Sequence, residues 1–116
     1  MSARNLGRAD LSRANLSNTI FKAADLHGAQ LRGADLSYAN LEGANLSGAD
    51  LRAANMKGAL LRGANLSLGD LRGADLGYAN LQAANLNGAS LSEAKLGRAI
   101  WTDGRVCVPD SIGECH

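Results

Sequence analysis

The sequence predicts an all-β solenoid, a parallel β-helix of about five coils with four pentapeptides in each. Three observations predict it. An apolar residue recurs at every fifth position from Leu6 to Trp101 without a slip, and it is leucine except at Phe21, Met56 and Trp101. A small residue, nearly always alanine, stands two places before each, the misfits being Arg4, Thr19 and Gly69. Residues 30–41, QLRGADLSYANL, return as DLRGADLGYANL at residues 70–81, an offset of forty residues or eight pentads. A period of five is neither the 3.6 of a helix nor the 2 of a flat strand, so it marks a repeat architecture.

Within a pentad, alanine and leucine point the same way on an extended chain, and the residue between them points out. That residue is usually Asn or Asp, as at Asp10, Asn15, Asp25, Asp35, Asn40, Asn45 and Asp50. Five is odd, so unbroken alternation would throw the next leucine outward, and each pentad must contain a corner. The two residues after each leucine supply it: Ser17-Asn18, Ser47-Gly48, Lys57-Gly58 and Arg62-Gly63 are turn formers. Corners with glycine second, at 42–43, 47–48, 57–58 and 72–73, suit type II turns, which need positive φ there. Corners ending in Tyr38, Leu68, Tyr78 or Glu93 are expected to use another type. A duplication that preserves stacking must span whole coils, and eight pentads divide into four-sided coils but not three-sided ones. Each leucine then stacks on the leucine twenty residues later, at about 4.8 Å, with parallel ladder bonds between coils.

The A-(D/N)-L-x-x pattern resembles the pentapeptide-repeat proteins over residues 4–103. The resemblance implies a right-handed quadrilateral β-helix. The tail, WTDGRVC at 101–107 followed by SIGEC at 111–115, is similar to the ending of some bacterial members, some of them exported or lying in the thylakoid lumen.

The 116 residues suit a single domain, with a repeat β-helix over 1–103 and a C-terminal cap over 104–116 as part of it. The chain is 46% hydrophobic but 3% aromatic, so its core is leucine and alanine. Twelve Lys and Arg against eleven Asp and Glu leave a formal net charge of +1. That balance argues against gripping nucleic acid and equally against imitating it. No apolar run approaches the roughly 20 residues of a membrane span, so no membrane insertion is expected. The N-terminus has no secretory apolar region; an exported protein would have lost its signal.

Cys107 and Cys115 lie outside the repeats. One disulfide closing a short terminal loop is the favoured reading, and free thiols in a cytoplasmic protein are the rival. Pairing would imply an oxidising compartment, the periplasm or the thylakoid lumen. A metal site shared with His116 fits no standard zinc spacing.

Counting by twenty sorts the surface into columns. Arg32, Arg52 and Arg72 form one, with Ser12 and Ser92 at its ends, beside Asp10, Gln30, Asp50, Asp70 and Ser90. The acids are expected to neutralise the arginines, giving a solvated face rather than an anion track. Another column reads Ile20, Asn40, Leu60, Asn80, Ile100. Ile20 and Ile100 suit end closure, but Leu60 lies mid-solenoid; with Leu68 and Tyr78 it forms the expected partner surface. Asn45, Asn65 and Asn85 are expected to hydrogen-bond up the ladder as stacked amides.

Catalytic motifs are missing: no P-loop, no HExxH, no CxxC. His27, Asp25 and Ser47 share one wall and copy the residue types of a triad, but a flat wall offers no water-excluding pocket or oxyanion donors. The chain is expected to be no enzyme and to need no cofactor or metal.

A solenoid must blunt its two ends. Trp101 can plug the bore at one end, with the tail folded over it and occupying that end. At the other, Leu6, Leu11, Leu16 and Phe21 form an outermost layer without a cover, so a homodimer through this coil is expected. The expected function is a non-catalytic structural or protein-interaction scaffold with an unknown protein partner. The family resemblance supplies an alternative, since some members bind DNA gyrase by mimicking duplex DNA and confer quinolone resistance. The balanced charge and unbroken register depart from that group.

Overall fold

The computed structural model describes residues 5–116; the expected opening of the first pentad at Arg4, and the three residues before it, lie outside the described residues. Parallel bridges join residues twenty apart. One column runs Asn5, Asp25, Asn45, Asn65, Asn85, and three others start at Asp10, Asn15 and Ile20. Leu46 and Leu66 are stacked neighbours, the Leu46 N–H donating to the Asn65 carbonyl at 2.7 Å.

The bridges are isolated, with one paired residue per wall in place of longer strands. The reason is the shortness of the pentad. Two of its residues turn the corner, and alanine and leucine flank the single outward residue between them.

A complete account of the backbone N–H groups explains why this arrangement holds. In the pentad around Asp50, the Asp50 N–H donates to Ala29 of the preceding coil and the Leu51 N–H to Asp70 of the following one. The Ala53 N–H donates to Arg72, and the Ala54 N–H closes the turn on Leu51. The fifth N–H, on Arg52, goes to the Asp50 carboxylate at 3.2 Å. The same side-chain acceptor serves Ser47 from Asn45, Ser67 from Asn65 and Asn87 from Asn85. The Asn column is therefore not a ladder of stacked amides. Each amide oxygen turns forward to its own corner, where an N–H two residues on has no backbone partner.

The corners differ from expectation as well. Tyr38, Leu68, Tyr78 and Glu93 have φ of 57°, 59°, 61° and 63°, in the same left-handed region as Gly43 at 65° and Gly48 at 67°. Each turn closes on its leucine, as Ala39 N–H to the Leu36 carbonyl at 3.1 Å and Gly69 N–H to the Leu66 carbonyl at 3.0 Å, so these corners share the type II signature with the glycine ones. The cause is the ladder. The Tyr38 N–H donates to Lys57 and the Leu68 N–H to Asn87, each in the following coil. Another turn type would re-aim that N–H and break a bond; at Glu93, whose N–H is no ladder donor, the same turn keeps the Ser92 carbonyl aimed at the Gly73 N–H of the preceding coil.

Leucine and alanine fill the bore. From Leu26 to Leu81 the inward leucines, with Met56 among them, are fully buried. Phe21 is 2% exposed, whereas Leu6, Leu11 and Leu16 are only half-buried. At the other end the tail replaces a following coil on two of the four walls. Leu96, Arg98 and Trp101 donate N–H to the carbonyls of Ser111, Cys107 and Arg105, and antiparallel bridges link Lys95 to Ile112 and Ile100 to Val106. Trp101 packs on the core without being fully buried. Leu86, Ala89 and Leu91 stay half-buried, so the tail covers part of the end rather than all of it. Thirteen residues that must also bend twice do not have the length of a twenty-residue coil.

Candidate interaction surface

The expected partner residues fall on two sides of the solenoid. Tyr78 lies in the corner 76–79 and Leu68 in the corner 66–69, ten residues or half a period apart, so they occupy opposite edges. Leu60 sits on the wall that follows the Tyr38, Gly58 and Tyr78 corners. Leu68, 74% exposed, lies instead against Gly88.

The side with Leu60 carries a stripe of exposed apolar residues, interrupted on the wall by Asn40 and Asn80. Ile20 is 61% exposed, Tyr38 60%, Leu60 41% and Tyr78 58%. They alternate between wall and corner, one per coil. The Tyr38 ring lies over Gly58, in space that any larger residue at 58 would fill. The Lys57 ammonium stands 5.9 Å from the Tyr78 ring centroid, within cation–π range. Ile20 faces solvent and does not close its end, while Ile100 pairs with Val106 of the tail.

The arginine face is paired at two of its three guanidinium groups. Arg52 and Arg72 each hold the aspartate two residues back by two hydrogen bonds, at 2.9 and 2.7 Å and at 2.8 and 2.7 Å. These bonds hold the Asp50 and Asp70 carboxyls below the usual carboxylate range and push the Arg52 and Arg72 guanidinium groups up. Asp35 is lowered by the Ser37 hydroxyl and then by its backbone N–H.

His27 and Asp25 meet, with Nδ1 2.8 Å from a carboxylate oxygen. The imidazole lies over Gly7 of the preceding coil, whereas Ser47 belongs to the following one. The aspartate side chain also accepts the His27 backbone N–H, as at every Asp or Asn corner. At the tail, the Cys107 and Cys115 sulfurs stand 2.08 Å apart with Cα atoms at 5.0 Å. His116 lies by Glu114, 3.7 Å away, and its backbone N–H donates to Ser111. Among the described residues no cluster of three His, Cys, Asp or Glu side chains could hold a metal, and no helix is long and apolar enough to cross a membrane.

The family model for pentapeptide repeats matches residues 5–37, 29–67 and 70–100, in eight copies. The chain belongs to the pentapeptide-repeat family. Members of that family are right-handed quadrilateral β-helices. Among solved structures, the pentapeptide repeat protein Rfr23 of the cyanobacterium Cyanothece 51142 is 38% identical with a TM-score of 0.78, over 79% of this chain and 63% of that one. The chain thus spans less than two thirds of Rfr23. A pentapeptide repeat protein of the Arabidopsis thaliana thylakoid lumen is 27% identical with a TM-score of 0.83, over 97% and 83% of the two chains. QnrB1, a plasmid-mediated fluoroquinolone resistance protein, is 15% identical with a TM-score of 0.50, over 84% and 73%, a likeness of fold alone. No curated protein matches the sequence.

Two features of this pentapeptide-repeat surface escaped the sequence reading. The first is the joining of Tyr38 to the stripe; its offset of two from the Asn40–Leu60 column was the available signal. The second is the local use of Asn and Asp, whose signal was their occurrence two residues before the corner's unpaired N–H.

Proposed function

We propose that this protein is a non-catalytic scaffold: about five coils of four pentapeptides over residues 4–103, with residues 104–116 as a cap of the same domain, presenting a rigid wall to a protein partner. The observation that carries this reading is the stripe Ile20, Tyr38, Leu60 and Tyr78, all at least 41% exposed. Apolar side chains set one per coil on a ladder with fixed spacing are preorganised for contact, so little ordering cost opposes binding. Leu68 stands as a separate exposed residue on the opposite edge. The cysteine pair supports an oxidising compartment, periplasm or thylakoid lumen, and the lumenal Arabidopsis relative is in keeping with it. The half-buried Leu6, Leu11 and Leu16 support a homodimer through the first coil. The alternative of gyrase binding by DNA mimicry draws no support from a chain of net charge +1 in which Asp50 and Asp70 are already held by arginines.

The test uses crosslinked capture under oxidising conditions, with the intact chain and a Tyr38→Ser, Leu60→Glu, Tyr78→Ser variant as baits. A partner retained by the first and lost by the second supports the reading. Equal capture by both, or inhibition of gyrase supercoiling by the intact chain, would overturn it.

A further inference from the structure

The arginine face has one irregular position. Asp50 and Asp70 each give their carboxylate to the arginine two residues on, taking Nε, Nη2 and, through Oδ1, the backbone N–H. In the coil before, the residue in that place is Gln30, and the arginine is Arg32. Among the described residues neither the Arg32 guanidinium nor its backbone N–H has a hydrogen-bond partner. A neutral residue at 30 therefore leaves free every donor that an aspartate occupies at 50 and 70.

Lys22 and Arg62 also follow residues that are not acids, but those are Ile20 and Leu60. Arg32 differs by its company. Arg13, at the preceding coil's corner, lays its stem on Gly33, with Cγ 3.4 Å from where a Cβ would stand. Arg13 and Arg32 then line one depression of about 390 Å³ with Ser12, Gln30, Asp50 and Arg52. Asp50 is engaged by Arg52, and Asp10, one coil before Gln30, accepts the Ser12 N–H at 3.1 Å and the Ser12 hydroxyl as well. Of the six lining residues three are arginines and one is a carboxylate, and Arg52 stands a further 3.6 Å from Asp70, so the uncompensated cations of the lining are Arg13 and Arg32.

We infer that the Ser12–Arg13–Gln30–Arg32 depression binds a phosphate-type oxyanion, held where the carboxylate sits in the two following coils. A planar carboxylate satisfies a single arginine fork, as Asp50 does. Here the unpartnered Arg32 guanidinium and backbone N–H share one depression with Arg13, more donors than a planar carboxylate on one fork takes up, which suits an oxyanion with several acceptor oxygens. The site is separate from the apolar stripe, and each can fail without the other.

Amide NMR titrations of the whole chain test it, with inorganic phosphate, phenyl phosphate and acetate at constant ionic strength. The expected result is saturable shifts at Ser12, Arg13, Arg32 and Gly33 with both phosphates. Preference between the two separates a free ion from a monoester as the ligand. Gln30→Asp recreates the pairing seen at 50 and 70, so the fold tolerates it, and it should weaken binding by about tenfold or more. Arg72→Gln, at an arginine already paired, should leave affinity within about twofold. Unsaturable shifts spread over all basic residues, acetate binding as well as phosphate, or unchanged binding in Gln30→Asp would each overturn the proposal.

Discussion

At the scale of the residue, the outward Asn or Asp and the second corner position carry the design. The first accepts the one N–H per pentad that no backbone carbonyl reaches, which is why a short acceptor side chain recurs there. The second lies at positive φ in every corner from Arg8 to Arg98, in residues that disfavour it by roughly 1–2 kcal/mol when they are not glycine. One column isolates that cost. Gly48 has φ of 67° and no atom within 4 Å of an added Cβ, so Gly48→Ala should lose about 1 kcal/mol from the backbone alone. Leu68, in the same column with φ of 59° and mostly exposed, should respond the other way. Leu68→Gly should gain up to about 1 kcal/mol. Urea midpoints measure both, and shifts of the same sign would show that the stack imposes no strain at this corner.

At the scale of the element, the tail is a substitute for part of a coil. It takes the ladder bonds of Leu96, Arg98 and Trp101, and the Cys107–Cys115 link holds its two arms together. Closing so short a loop is worth about 2–3 kcal/mol in the chain-entropy account. Gly97 allows the close approach, since a side chain there would run into the Pro109 carbonyl. Its φ lies outside the left-handed region, so the cost of Gly97→Ala falls on tail docking alone. Hydrogen exchange should speed up at the Leu96 and Arg98 amides in this variant and in Cys107→Ser, while the Leu46 amide keeps its protection. Unchanged exchange at Leu96 would mean that the tail is not what protects the last coil.

At the scale of the whole molecule, the two ends differ from the middle. Leu6, Leu11 and Leu16 are half-buried, while the leucines stacked above them are fully covered. A two-fold contact would bury that layer against itself. Sedimentation should show a dimer that dissociates on dilution, and Leu11→Glu should be monomeric at all concentrations. The variant should keep native amide shifts around Leu66, because solenoid coils touch mainly their neighbours. A monomeric intact chain at every concentration would end the dimer proposal. Leu86 and Leu91 at the far end form a second incompletely covered layer, narrowed by the tail.

The sequence by itself determined the period, the inward leucines and alanines, the corner positions and the twenty-residue stacking, because each follows from a local pattern repeated without a slip. Counting the same period also places Leu68 half a turn from Tyr78, as the bridges do. Only the tertiary structure decided the rest. Tyr38 and Tyr78 taken alone prefer another turn, but ladder bonds to Lys57 and Gly97 hold them at positive φ. Asn45, Asn65 and Asn85 could stack as amides, but the unpaired corner N–H beside each is nearer. The free donors of Arg32 follow from the same accounting, which needs every backbone bond of the stack in place before a missing one is visible. Composition and spacing describe a single pentad, whereas these outcomes belong to bonds between coils, where one pentad's geometry is set by its neighbours.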